Sequence, residues 1–101
     1  MAFVGTKVSQ KILEKRRIAE ANTCVMNLKQ IDGAVHGWAL EFKKSDGDKP
    51  PSESVLYGPR GYISKSPLVC PSGGSYVIRE IGINPFCTLG TNARPPHILP
   101  Q

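Results

Sequence analysis

Cys24-Val25-Met26-Asn27-Leu28-Lys29-Gln30-Ile31-Asp32-Gly33-Ala34-Val35-His36-Gly37-Trp38-Ala39-Leu40-Glu41-Phe42 is the stretch whose pattern decides the fold. Cys24, Leu28, Ile31, Val35, Trp38 and Phe42 follow one another at steps of four and three. At ~100° per residue this spacing holds all six on one narrow helical face. Lys29, Asp32, His36 and Lys43 fall well away from that face, as a surface helix requires. The six form a core face that must be covered by the rest of the chain.

Working toward the N-terminus, the helical pattern continues without proline, giving an expected helix over residues 5–44. At ~1.5 Å per residue such a helix is far longer than a body of this size is wide, so part of it must project. The projecting part is expected to be the N-terminal half, where only Val8, Ile12, Leu13 and Ile18 interrupt the polar residues. This half also holds most of the charge imbalance. Within residues 1–17, Lys7, Lys11, Lys15, Arg16 and Arg17 stand against Glu14 alone, a net +4 out of the chain's +5. Such a basic segment fits a contact with membrane headgroups, nucleic acid or an acidic neighbour, or a plain solvated helix face.

Working toward the C-terminus, Ser45-Asp46-Gly47-Asp48-Lys49-Pro50-Pro51 is expected to end the helix, because glycine suits a left-handed cap and proline cannot continue the hydrogen-bond ladder. Residues 45–74 read as a loop with a short helix, in which Ser52 caps a turn or two and Leu56 and Tyr57 reach back to the long helix. Ser75-Tyr76-Val77-Ile78-Arg79-Glu80-Ile81 is the best strand candidate, with Gly82-Ile83-Asn84 turning into a second strand, Pro85 to Leu89. This makes a hairpin over residues 75–90 and leaves a tail, 91–101, lying over the body. The fold class expected is α+β, one long N-terminal helix packed on a small antiparallel sheet with a loop-rich C-terminal region.

Few groups suggest chemistry. Cys24, Cys70 and Cys87 contain no CxxC pair and no zinc-like spacing, so no metal site and no cofactor are expected. Two cysteines in the loop-rich half can form a disulfide, with the third free, or all can remain reduced. Cys24, on the apolar stripe, reads as a buried thiol. His36 and His97 are far apart and belong to no ligand-spaced cluster or nucleophile arrangement. Asp46 and Asp48 supply too few carboxylates for a calcium loop. No catalytic residue and no small-molecule substrate are expected, and the chain reads as no enzyme. Met26, Gly33, Gly37 and Leu40 share the face roughly opposite Trp38, where two glycines leave a shallow groove for loops of this chain or for an adjacent subunit.

The run from Cys24 to Ala34, continued by Trp38-Ala39-Leu40-Glu41, resembles the helix of small prepilin-type pseudopilins, in which a CxNNLRQIDGAxxxWALE-like run is common. Val69-Cys70-Pro71-Ser72-Gly73-Gly74-Ser75-Tyr76, followed by Gly82, Pro85 and Cys87, is similar to that group's CPxGGxY…GxxPxC ending. His97-Ile98-Leu99-Pro100 looks like its terminal HxLP, and Ala2-Phe3-Val4 like the end of its hydrophobic N-terminal segment. The resemblance implies a pilin-like fold and a structural role in a type II secretion or type IV pilus-like filament. It further implies anchoring in the bacterial inner membrane through an apolar helix upstream of Phe3, a periplasmic or extracellular body, other pseudopilin subunits as partners, and a Cys70–Cys87 disulfide. The alternative is a nucleic-acid-binding, DNA-uptake type minor pilin using the basic helix 7–17. Against it, Phe3 is the only aromatic among residues 1–37, so stacking residues do not accompany the charges.

Overall fold

The structure, a computed structural model, describes residues 2–50, 55–57, 62–63 and 68–99, with side chains from Gln10 onward. Helix α1 spans Ala2–Glu41 without interruption. Its long axis sets the longest dimension of the chain, 63 Å against 27 and 16 Å across. Every residue from Gln10 to Ala19 is exposed, including Ile12, Leu13 and Ile18, whereas burial begins at Ala21 and recurs through Trp38. Among the described side chains, exposure gives way to burial near residue 20.

The helix ends earlier than residue 44. Phe42 N–H donates to the Trp38 carbonyl at 3.0 Å and Lys44 N–H to the Ala39 carbonyl at 2.8 Å, the latter being the six-to-one bond of a Schellman cap. The left-handed residue in this cap is Lys43, with φ 54°, and not a glycine. Gly47, with φ 93°, serves the following turn instead. That turn is pinned to the distant chain: Gly47 N–H donates to the Ile81 carbonyl at 3.0 Å, and Ile81 N–H returns to the Asp48 carbonyl at 2.8 Å. Asp48 also accepts the Ser45 N–H at 2.9 Å, which accounts for this carboxylate as part of a turn.

Because the cap reverses the chain at Lys43, Phe42 does not extend the core face. It is 56% exposed, a correction to its place in the stripe. The face is closed at this end by Trp38, with the Lys44 ammonium 5.8 Å from its ring centroid. Cys24, Leu28, Ile31, Val35 and Trp38 are all buried as the periodicity requires.

What covers the stripe is small. Strand β1, Tyr76–Val77, pairs antiparallel with β2, Phe86–Cys87, in the register Tyr76 to Cys87 and Val77 to Phe86. The hairpin is confirmed but its ladder is shorter than the sequence pattern suggests, because Ile78 and Ile81 leave the pairing to enter the core. Thr88 N–H to the Ser75 carbonyl and Ser75 N–H to Thr88 Oγ1, at 2.8 and 2.9 Å, prolong the connection by one residue on each side. A short 3-10 turn, Gly90–Asn92, follows in the tail.

The core divides in two along α1. Toward the C-terminal end, Ile31, Ala34, Val35 and Trp38 pack with Leu56, Ile63, Ile78 and Ile81. Leu56 and Tyr57 do reach the helix, and the Leu56 carbonyl accepts both Tyr62 and Ile63 N–H groups. The expected cap at Ser52 lies outside the described residues. Toward the N-terminal end, Cys24 and Leu28 meet Cys70 and Cys87, flanked by Tyr76, Leu89 and Leu99. Trp38→Ala is expected to cost ~3–5 kcal/mol in denaturant unfolding, whereas Phe42→Ala stays within ~0.5 kcal/mol. Equal losses at both positions would mean that Phe42 belongs to the core after all.

Candidate metal centre

Four segments converge at the N-terminal end of the covered half. Cys24 comes from α1, Cys70 from the turn before β1, Cys87 from β2 and His97 from the tail. Their ligand atoms, three Sγ and one imidazole nitrogen, all lie within 4.8 Å of one another. All four residues are 2% exposed or less. Cys70 Sγ is 3.4 Å from His97 Nδ1.

Each segment is held by contacts of its own. Asn27, one turn after Cys24 and itself buried, donates from Nδ2 to the Val69 carbonyl at 3.1 Å and to the Tyr76 hydroxyl at 3.0 Å. One amide thereby fixes both the Cys70 turn and the start of β1 against the helix. Ser72 Oγ donates to Glu20 Oε2 at 3.4 Å on the outer side of the same turn. Gly73 N–H closes the turn on the Cys70 carbonyl at 3.1 Å, with Gly73 at φ 94° where a side chain would be strained. His97 is seated by its own N–H, which donates to the Gly90 carbonyl at 2.9 Å.

The thiols are electrostatically unequal. Burial above all pushes the Cys24 thiol up to about 12, opposed by the Tyr76 hydroxyl, which hydrogen-bonds to the sulfur. Burial acts on Cys70 in the same sense, but backbone N–H groups of Ser72 and Gly74, with the neighbouring Cys24 and Cys87 thiols, outweigh it and hold Cys70 below its ordinary value. Burial, then the contact with Cys24, raises the Tyr76 hydroxyl far above its usual range.

This arrangement bears on two expectations. Cys70 and Cys87 are not joined; both are free thiols, as is Cys24. The disulfide implied by the family resemblance is not formed in this structure, where Cys70 and Cys87 both stand beside Cys24 and His97. The expectation of no metal site rested on local spacing, whereas the fold brings together four distant residues whose ligand atoms could hold an ion. His97 is correspondingly no loop-packing histidine of the ordinary kind. Two signals were available: an odd cysteine count, which leaves one thiol without a disulfide partner, and a histidine followed by Ile98 and Leu99 in a proline-rich tail.

The donor set suits a soft or borderline metal ion, through three sulfurs and one imidazole nitrogen. A Cys70–His97 nucleophile pair is a poorer match, since reactive thiols are partly exposed and this one is 1% exposed. His36 is elsewhere, exposed on α1 with Nε2 3.4 Å from Asp32 one turn earlier.

The remaining sequence-selected residues lie outside the cluster. Lys11, Lys15, Arg16 and Arg17 are exposed on the bare half of α1, and the Lys7 side chain lies outside the described residues. Arg17 lines a cleft with Ser72, Ala93, Arg94 and His97, so the basic segment comes closest to the cluster at that residue. Met26 and Leu40 are exposed at 61% and 83%. Gly33 is open, with nothing near the position a Cβ would take, whereas the Tyr62 ring covers Gly37. The groove is thus partly filled by the chain's own loop and partly open.

Compared with protein-family models, with curated proteins and with solved structures, the chain matches none. No helix among the described residues is long and apolar enough to cross a membrane.

Gly74 offers a test of how tightly the cluster is built. A Cβ there would stand 2.5 Å from Cys87 Sγ and 3.0 Å from Leu89 Cγ. Gly74→Ala is therefore expected to lower stability by ~1–3 kcal/mol in thermal or denaturant unfolding. Gly33→Ala, in open space within α1, is expected to raise it by ~0.5–1 kcal/mol. Neutral behaviour of Gly74→Ala would show that Cys87 can move away without loss.

Proposed function

We propose that the chain is a structural subunit of a pilin-like filament, of the type II secretion or type IV pilus kind, with no catalytic role. The observation that carries this reading is the mismatch between α1 and the body it supports. The body covers the helix only from Ala21 to Trp38, yet the helix continues to Ala2 with residues 10–19 exposed. An isolated helix of ~15 residues is marginal in water, so an extension whose residues 10–19 are exposed calls for neighbours.

Ile12, Leu13 and Ile18, exposed at 50%, 43% and 50%, supply the apolar contacts through which adjacent helices pack. Lys11, Lys15, Arg16 and Arg17 pair with acidic groups of neighbouring subunits or with anionic headgroups. The open face at Met26, Gly33 and Leu40 gives a second contact further along the helix. In this reading an apolar segment upstream of Phe3 anchors the subunit in the inner membrane before assembly, and the body is periplasmic or extracellular. The quoted pseudopilin-like runs between Cys24 and Pro100 support the same role.

Ile12→Asp with Leu13→Asp separates assembly from folding. Surface changes of this kind are expected to leave the unfolding free energy of the chain within about 0.5 kcal/mol per position. Filament incorporation, measured by sedimenting material sheared from cells carrying the full-length protein, should fall to background. Undiminished incorporation would sink the reading. Tight DNA binding that weakens steeply with salt and is lost on replacing Lys11, Lys15, Arg16 and Arg17 would favour the DNA-uptake alternative instead.

A further inference from the structure

We propose that Cys24, Cys70, Cys87 and His97 bind one zinc ion in a closed tetrahedral site that ties the tail, the hairpin and the Cys70 turn to the long helix. Geometry comes first. Zinc takes sulfur at ~2.3 Å and nitrogen at ~2.0–2.1 Å in a tetrahedron, which sets its ligand atoms roughly 3.6–3.8 Å apart. Here all four ligand atoms fall within 4.8 Å of one another, and the Cys70 sulfur and His97 Nδ1 are 3.4 Å apart.

The donor set then selects the ion. Three thiolates and an imidazole disfavour calcium and magnesium, which take oxygen ligands, and match the Cys3His class of structural zinc site. Four protein ligands fill the coordination sphere, and with all four residues buried no position is open to water or substrate. The ion is therefore structural and not catalytic. Binding displaces the thiol protons to solvent and leaves a zinc trithiolate centre with one net negative charge.

The surroundings are those such a centre needs. Ligands are oriented by hydrogen bonds behind them, and the sulfurs here have such partners. Backbone N–H groups of Ser72 and Gly74 point at Cys70, and the Tyr76 hydroxyl, which accepts a hydrogen bond from Asn27, is in turn bonded to Cys24. Arg17 and Arg94 line the cleft that opens at His97, putting positive charge beside the anionic centre. The absence of a side chain at Gly74 is what lets the Cys70 turn approach Cys87.

The site also answers a shortage in the core. The N-terminal cluster contains only one large apolar residue that is fully buried, Leu28, among three cysteines. Small bodies commonly make up such a deficit with a disulfide or a metal, and a zinc ion joins four segments where a disulfide joins two.

The test uses the purified chain, prepared without chelator or reductant from cells grown with added zinc. Elemental analysis should find about one zinc per chain, and chelation should lower Tm reversibly on return of zinc. Cobalt added to the apo chain should give the ligand-field bands of a tetrahedral, thiolate-rich site. Cys24→Ser places a hydroxyl in the core, where loss of folding would mask loss of metal, so His97 provides the second arm. His97→Cys should retain zinc and the cobalt spectrum in a four-sulfur form, while His97→Ala should lower zinc affinity at least ~10-fold. In the wild-type chain all three cysteines should be alkylated only after the metal is removed. A metal-free chain with a Cys70–Cys87 disulfide would overturn the proposal. So would a metal-free folded chain that fails to take up cobalt. Filament incorporation is read separately, so failure of one reading leaves the other standing.

Discussion

The constraint on which the structure depends is the need to keep one side of α1 dry. From Cys24 to Trp38 the helix presents a narrow apolar stripe, and burying each of its larger side chains is worth ~1.5–3 kcal/mol relative to exposure. The rest of the chain is short and rich in turns, and among the described residues its hairpin pairs two residues per strand. It meets the need by laying loops across the stripe and letting single residues, Leu56, Ile63, Ile78 and Ile81, drop into it. The sheet acts less as a layer than as a clip that aims Ile78 and Cys87 at the helix.

A cover made of loops must be fixed by polar contacts, since loops lack ladders of their own. Two such contacts organise the molecule. At the far end of the helix, the exchange between Ile81 and the Gly47–Asp48 turn locks the hairpin turn to the chain that leaves α1. In the middle, Asn27 joins three segments through one side-chain amide. Its burial in an otherwise apolar neighbourhood is tolerated because its donor groups are satisfied, and an unsatisfied amide there would cost ~1–3 kcal/mol. The two core clusters thus have separate polar anchors.

Much of the helical half was legible from residue types. The four-three spacing identified five of the six stripe residues correctly, because helical periodicity and burial are directly linked. Phe42 failed because the cap lies at Lys43, and nothing in a lysine announces a left-handed backbone. The hairpin was legible through Gly82 and the β-branched run before it, but not its short ladder, since Ile78 and Ile81 suit a core loop as well as a strand. The cysteine and histidine cluster was hidden for a different reason. Its members come from four segments, with Cys70 and His97 alone 27 positions apart, and spacing rules detect only ligands that share a turn or knuckle. Tertiary proximity of this kind is created by the stripe being covered, so it becomes visible only once the cover is in place.

The position of the thiol cluster along α1 has a mechanical side. A pull applied to the bare half of the helix enters the folded body near Ala21 and reaches Cys24 before any residue of the larger apolar cluster. Load transmitted along the helix axis is therefore borne first by the junction where helix, turn, strand and tail meet. Resistance to stretching would be concentrated there, and the apolar cluster toward Trp38 would be shielded until that junction yields.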